Sequence, residues 1–130
     1  MLRARGAILI CSAYALVACG SSARDEVQAK VQQFAHATAN RDYRTLCEQV
    51  LAPPLIAKLT AAGVSCDQAM KIFVTSVSQP TISVSRISVH GSQASAVVLA
   101  AAKGQTAALE TVELVQTRNG WRLASLATPR

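Results

Sequence analysis

Three features of this 130-residue chain predict an α+β fold. Apolar residues recur at helical spacing as far as Val77, and the period becomes two from Pro80 onward. Short turn signatures then cut the second half into four strand-length runs. Helices followed by a four-stranded antiparallel meander form one domain of ordinary size, about 110 residues once a leader is set aside.

The leader comes first. Arg3 and Arg5 form a charged start, and Ala7 to Ala18 form an apolar run. About a dozen residues is too short for a spanning helix, which needs roughly 20, but fits the apolar core of a signal peptide. Leu16-Val17-Ala18-Cys19 matches a lipobox, the Leu-x-[Ala/Gly]-Cys pattern after which the signal is cut and the cysteine takes lipid. The competing reading is an ordinary signal-peptidase cut near Ala18 that leaves Cys19 as a bare thiol. The expected organisation is a lipoprotein signal peptide over residues 1–18, a lipidated Cys19 with a short tether over 19–23, and one domain over 24–127. A diacylated or triacylated Cys19, with its diacylglycerol thioether and a fatty acyl group such as palmitate, would anchor the protein at the outer side of a bacterial cell membrane, because stable anchoring takes at least two chains.

Cysteine arithmetic follows from that reading. Of four cysteines, Cys11 leaves with the leader and Cys19 is lipidated. Cys47 and Cys66 then remain in an oxidising compartment with one pairing open to them. A metal site is the rival, but His36 and His90 are not near either cysteine in sequence, so none is expected.

In the mature chain Ser22, with Asp25 three residues on, reads as a capping box opening a helix from about Arg24 to Ala39. Val27, Val31, Phe34, Ala35 and Thr38 would form its apolar stripe. Asn40 is the expected left-handed stop. Asp42 would cap a second helix carrying Tyr43, Leu46, Cys47, Val50 and Leu51, interrupted by Pro53-Pro54. A third helix, Pro54 to Ala62, would turn Leu55, Ile56 and Leu59 inward and stop at Gly63. Ser65 and Gln68 form a second capping box before a stripe of Cys66, Ala69, Met70, Phe73, Val74 and Val77.

The first strand, Thr81 to Val89, changes apolar phase near Ser85-Arg86, which calls for a β-bulge. His90-Gly91-Ser92-Gln93 turns into a second strand to Ala102, and Lys103-Gly104-Gln105 into a third from about Ala107 to Thr117. That third strand also slips phase between Leu109 and Val112, so a second bulge and a strongly bent sheet are expected. Asn119-Gly120 marks a hairpin into Trp121 to Leu126.

Helices before a bent meander that ends Asn119-Gly120-Trp121-Arg122-Leu123-Ala124-Ser125-Leu126, with Asp42-Tyr43 just after the first helix, resembles the nuclear transport factor 2-like superfamily of cystatin-like cones. The resemblance implies helices packed in the concave face of the sheet. Among relatives the chain is similar to small exported bacterial lipoproteins with two cysteines in the helical half. Ketosteroid isomerases, polyketide cyclases and dehydratases share the superfamily with noncatalytic binding modules, and fold alone does not choose among them. Isomerase-type members use a cavity carboxylate and acidic donors. Here the strands offer only Glu110 and Glu113, which fall on opposite faces of a regular third strand.

No residue is therefore assigned a catalytic role, and neither a cofactor nor a metal is expected. His36 reads as an exposed helix residue and His90 as a turn residue. Phe34, Tyr43, Phe73 and Trp121, the aromatic residues of the mature chain, are the pocket candidates, each also explicable as packing. The formal charge of +6 falls to +4 when Arg3 and Arg5 leave. Lys30, Arg41, Lys58, Lys71, Lys103 and Arg122 stand singly, without the basic runs and interleaved aromatics of nucleic-acid grooves. The expected partners are instead an anionic membrane, reached through Cys19, and a small apolar ligand or an envelope protein. A second copy docking through the sheet face is a further expectation. The expected role is a noncatalytic envelope lipoprotein, with an enzyme using Tyr43 and one glutamate as the alternative.

Overall fold

The computed structural model describes residues 22–126. Cys19 and the leader lie outside the described residues. Within them α1 (Ala23–Ala39), α2 (Tyr43–Thr45), a π turn (Leu46–Val50), α3 (Pro53–Ala61) and α4 (Cys66–Thr75) precede β1 (Thr81–His90), β2 (Gln93–Ala101), β3 (Ala108–Thr117) and β4 (Gly120–Leu123). The strands form one antiparallel sheet in the order β1-β2-β3-β4. The α+β architecture is thus the expected one, with helices packed in the concave face of the sheet.

Only the forward half of the first capping box is present: Ser22 Oγ accepts from the Asp25 N–H at 3.2 Å. On α1 the buried face is Val27, Val31, Phe34, Ala37 and Thr38. Ala35 is half-buried, so Ala37 occupies the inward position expected of Ala35. The left-handed residue is Arg41 (φ 55°), not Asn40 (φ −89°). The Arg41 N–H bonds to Thr38 O (3.2 Å) and the Asp42 N–H to Ala37 O (2.9 Å), a Schellman closure one residue later than the sequence suggests. Asp42 then caps the next turn, accepting from the Thr45 N–H (3.1 Å) and Oγ1 (2.7 Å), and these bonds hold its carboxyl below the usual carboxylate range.

The second helix is α-helical for one turn only. From Leu46 it widens, and the Leu51 N–H reaches back five residues to Leu46 O at 2.9 Å. The wide turn brings Leu46, Val50 and Leu51 all into the core. Leu51 then runs beside β4 as a parallel bridge to Leu123, with the Ala52 N–H donating to Leu123 O at 2.8 Å. α3 starts at Pro53, one residue earlier than expected, and has no fully buried residue; Leu55, Ile56 and Leu59 are half-buried. Gly63 (φ 79°) ends it, with the Val64 N–H bonded to Leu59 O.

Both halves of the Ser65–Gln68 capping box are made. Replacing Ser65 with alanine leaves the Gln68 N–H of α4 without its acceptor and should lower unfolding free energy by about 1 kcal/mol in urea titration. α4 buries Met70 and Val74, while Ile72 points to solvent.

In β1 the register steps from Val84↔Val98 to Arg86↔Val97, leaving Ser85 as the extra residue of a bulge. The bulge keeps Ile82, Val84, Ile87 and Val89 on the inner face despite the phase flip. The second expected bulge is absent: β2 and β3 pair without a break from Gln93↔Val115 to Ala100↔Ala108. Leu109 stays on the outer face opposite Leu99, 67% and 42% exposed. A cross-strand leucine pair on the outer face stands where the bulge was expected.

The β3–β4 hairpin also differs from the Asn119-Gly120 turn expected. Thr117 pairs with Gly120, so Arg118 and Asn119 are the loop, both at negative φ, and Gly120 supplies φ 96° as the first residue of β4. A turn whose central residues have negative φ needs a positive-φ residue after it to restore the strand twist, and glycine provides it. The core between sheet and helices is aliphatic: Val27, Val31, Leu46, Val50, Leu51, Met70, Val98, Leu114 and Leu123 are all at most 2% exposed.

Candidate functional site

Of the pocket candidates, Trp121 lines one of two surface clefts beside the β3–β4 hairpin, and Phe34, Tyr43 and Phe73 line neither. Phe34 (5% exposed) and Phe73 meet inside, ring centroids 6.3 Å apart and 29° from parallel, as a core pair. Tyr43 is half-buried at the edge of that core, on the short α2, which packs on α1, the π turn and α4. Trp121 is 2% exposed on β4, opposite Gln116. Glu110 sits opposite Val98 on the inner-face register and Glu113 on the outer face. Phe34, Tyr43, Phe73 and Trp121 all belong to, or pack against, the same largely aliphatic core cluster between sheet and helices.

Cys47, at the second position of the π turn, and Cys66, the first residue of α4, form a disulfide with Cα atoms 5.9 Å apart. It ties the two ends of the Pro53-containing connection together. Among the described residues no group of three or more His, Cys, Asp or Glu side chains could hold a metal ion. His36 is exposed and shares a 2.9 Å hydrogen bond with Asn40. His90 is exposed at the end of β1.

Two open clefts instead flank the β3–β4 hairpin. The first, about 420 Å³, lies between α1 and the hairpin and is lined by Glu26, Ala29, Lys30, Gln33, Asn119, Gly120 and Trp121. Lys30 Nζ donates to Gln33 Oε1 (2.6 Å) and to Gln49 O (3.0 Å), and Gln33 Nε2 donates to Gln49 Oε1 (2.9 Å). Partial burial, and then the positive charge of Arg122, hold the Lys30 ammonium below the ordinary lysine range.

The second cleft, about 570 Å³, lies between α3 and the hairpin. Its floor is Leu51, Pro53, Ile56, Ala57 and the Cys47 end of the disulfide; Arg118, Arg122, Asn119, Thr117 and Glu48 form the rim. Arg122 Nη1 donates to Glu48 O at 2.7 Å, while its Nε is buried without an acceptor. The neighbouring Trp121 Nε1 is likewise buried without one. Two successive residues of β4, each lining one of the clefts, therefore carry unmatched N–H donors, each an unsatisfied group that costs about 1–3 kcal/mol.

Sequence reasoning singled out Trp121 and Cys47 but missed Lys30, Arg118, Arg122 and Ile56. The available signal was a basic residue directly after a core tryptophan on a short last strand; nothing in the spacing joined it to α3.

No protein-family model matches the chain, and no curated protein does. Among solved structures the chain is similar to the crystal structure of a candidate dehydratase from the nuclear transport factor 2-like family of Streptomyces avermitilis. The TM-score is 0.51 and identity 14%, over 78% of this chain and 90% of that one. At that identity the likeness concerns the fold, and the chain has the nuclear transport factor 2-like fold.

Proposed function

We propose that the protein is a lipoprotein of the bacterial cell envelope, anchored by lipid on Cys19 at the outer side of the membrane, whose domain is a noncatalytic binding module. The observation that supports the binding reading is that Val27, Val31, Leu46, Val98, Leu114 and Leu123 pack between sheet and helices at no more than 2% exposure, while the two clefts beside the hairpin open on the surface. Binding then belongs to the surface, at the clefts beside the hairpin, or on the outer sheet face, where the Leu99–Leu109 pair offers a partner protein or a second copy an apolar seat. The anchor reading rests on the lipobox and its short apolar run. With three residues from Cys19 to Ser22, a fully extended tether spans only about 10 Å, which keeps the domain against the lipid headgroups.

The similar structure raises a dehydratase-type alternative. That chemistry would ask Tyr43 and a strand glutamate to face one cavity, and neither cleft is lined by Tyr43, Glu110 or Glu113.

In cells, Cys19→Ser is expected to move the protein from the membrane fraction to the soluble fraction. Unchanged membrane association would sink the anchor. Native mass spectrometry of the purified chain, with crosslinking in cells, tests the binding role. Recovery of the protein with neither a small molecule nor a partner would count against it.

A further inference from the structure

The cleft between α3 and the β3–β4 hairpin combines an apolar floor with cationic groups that the protein itself does not neutralise. Among the described residues the one ion pair is Arg44–Glu48 (3.2 Å), so the only carboxylate lining this cleft is already engaged by a cation on its own helical turn. Arg118 sits exposed at the hairpin tip and Arg122 half-buried beside it; neither is paired with a carboxylate among the described residues. Arg122 has one nitrogen committed to Glu48 O and another, Nε, buried with no acceptor.

We propose that this cleft binds an amphiphilic anion, a carboxylate or phosphate head on a short alkyl chain, with Arg122 and Arg118 holding the head and Pro53, Ile56 and Ala57 lying under the chain. Each half of that ligand answers one feature. A guanidinium presents donors in a planar fork that matches two oxygens of a carboxylate or phosphate. The floor gives a role to the apolar side that α3 turns toward the hairpin, where Pro53 and Ala57 are exposed and Ile56 is only half-buried. A volume of about 570 Å³ is in the range of small-molecule sites. A free inorganic anion would leave the floor unused, and a neutral amphiphile would leave the arginines without a counter-ion.

Lys30 provides an internal reporter. Arg122 depresses its pKa through charge repulsion, after the larger effect of burial. An anion seated on Arg122 cancels part of that repulsion, so the Lys30 pKa should rise when the cleft is filled.

The inference rests on the binding-module reading and is independent of the anchor. It is tested on the purified full chain carrying Cys19→Ser, which holds no lipid of its own. Dodecanoate and dodecyl phosphate, below micelle-forming concentrations, are compared by calorimetry with inorganic phosphate (head alone) and dodecyl maltoside (uncharged head). Both anionic amphiphiles should bind, and whichever is tighter identifies the head. The pair Arg118→Gln and Arg122→Gln should weaken binding by at least about tenfold, as expected when charge-assisted hydrogen bonds are lost. Arg118→Gln alone, at an exposed position, gives a smaller loss without touching the bond to Glu48. Ile56→Asp should also abolish binding, with circular dichroism confirming a folded chain. The Lys30 pKa, followed by NMR, should move upward on binding. Equal affinity for dodecyl maltoside or for inorganic phosphate, no binding of either anion, indifference to the arginine changes, or an unmoved Lys30 would overturn the proposal. Loss of membrane anchoring in cells would be read separately and leaves these outcomes unaffected.

Discussion

Leu123→Ala is expected to lower the free energy of unfolding by about 3 kcal/mol, measured by urea denaturation, with little change in slope. Leu123 is the last residue of β4 and is 0% exposed. It stands opposite Leu114 on β3, and its carbonyl receives the Ala52 N–H from the segment after the π turn. Fully buried Leu51 forms the bridge on its other side. The side chain thus lies where the sheet, the π turn and α1 close over one another, a place with little freedom to collapse after truncation. Cavities that cannot relax put a Leu→Ala change in the upper part of its usual range, roughly 2–5 kcal/mol. Leu109→Ala is the matched control: 67% exposed on the outer face, it should stay within about 0.5 kcal/mol of the parent. Equal losses at the two positions would mean that the inner face is not the core.

The contrast between these leucines shows what could be read from the residues alone. Local chemistry was legible: Ser22 and Ser65 cap their helices, Gly63 stops α3, and the flip from Val84 to Ile87 produces the bulge at Ser85. The same logic failed at Leu109, because a phase slip in an apolar pattern reads identically whether the strand bulges or a leucine is left outside opposite a cross-strand partner. Only the register against Leu99 distinguishes the two. The π turn was illegible for a related reason. An extra residue per turn has no local signature; it arises because Leu46, Val50 and Leu51 must all be buried while Leu51 meets Leu123, a residue far away in the chain. The cleft fared likewise. Ile56 and Arg122 are brought together by that bridge, and no spacing rule connects a helix after two prolines with the strand after a hairpin.

Removing the disulfide, by Cys47→Ala with Cys66→Ala or by reduction, is expected to cost about 3 kcal/mol and to lower the melting temperature by about 10–20 °C. The two cysteines are 19 residues apart in sequence, and closing a loop of that length restricts the unfolded chain by roughly this amount. The unfolded state is one side of the effect; the position of the bridge supplies the other. Between Cys47 and Cys66 lie the end of the π turn, the paired prolines and α3, a helix with no fully buried residue. Few packing contacts hold that segment, so the covalent tie is what keeps α3 beside the β3–β4 hairpin. The loss should therefore be uneven. Amide exchange in β2 and β3 should quicken only in step with global stability, whereas α3 should exchange by local opening well before the sheet does. Reduction should also weaken ligand binding in the cleft floored by Ile56 and Cys47, even at temperatures where the sheet remains folded. Uniform acceleration across sheet and α3 would show instead that the bridge acts through the unfolded chain alone, with α3 held by its own packing.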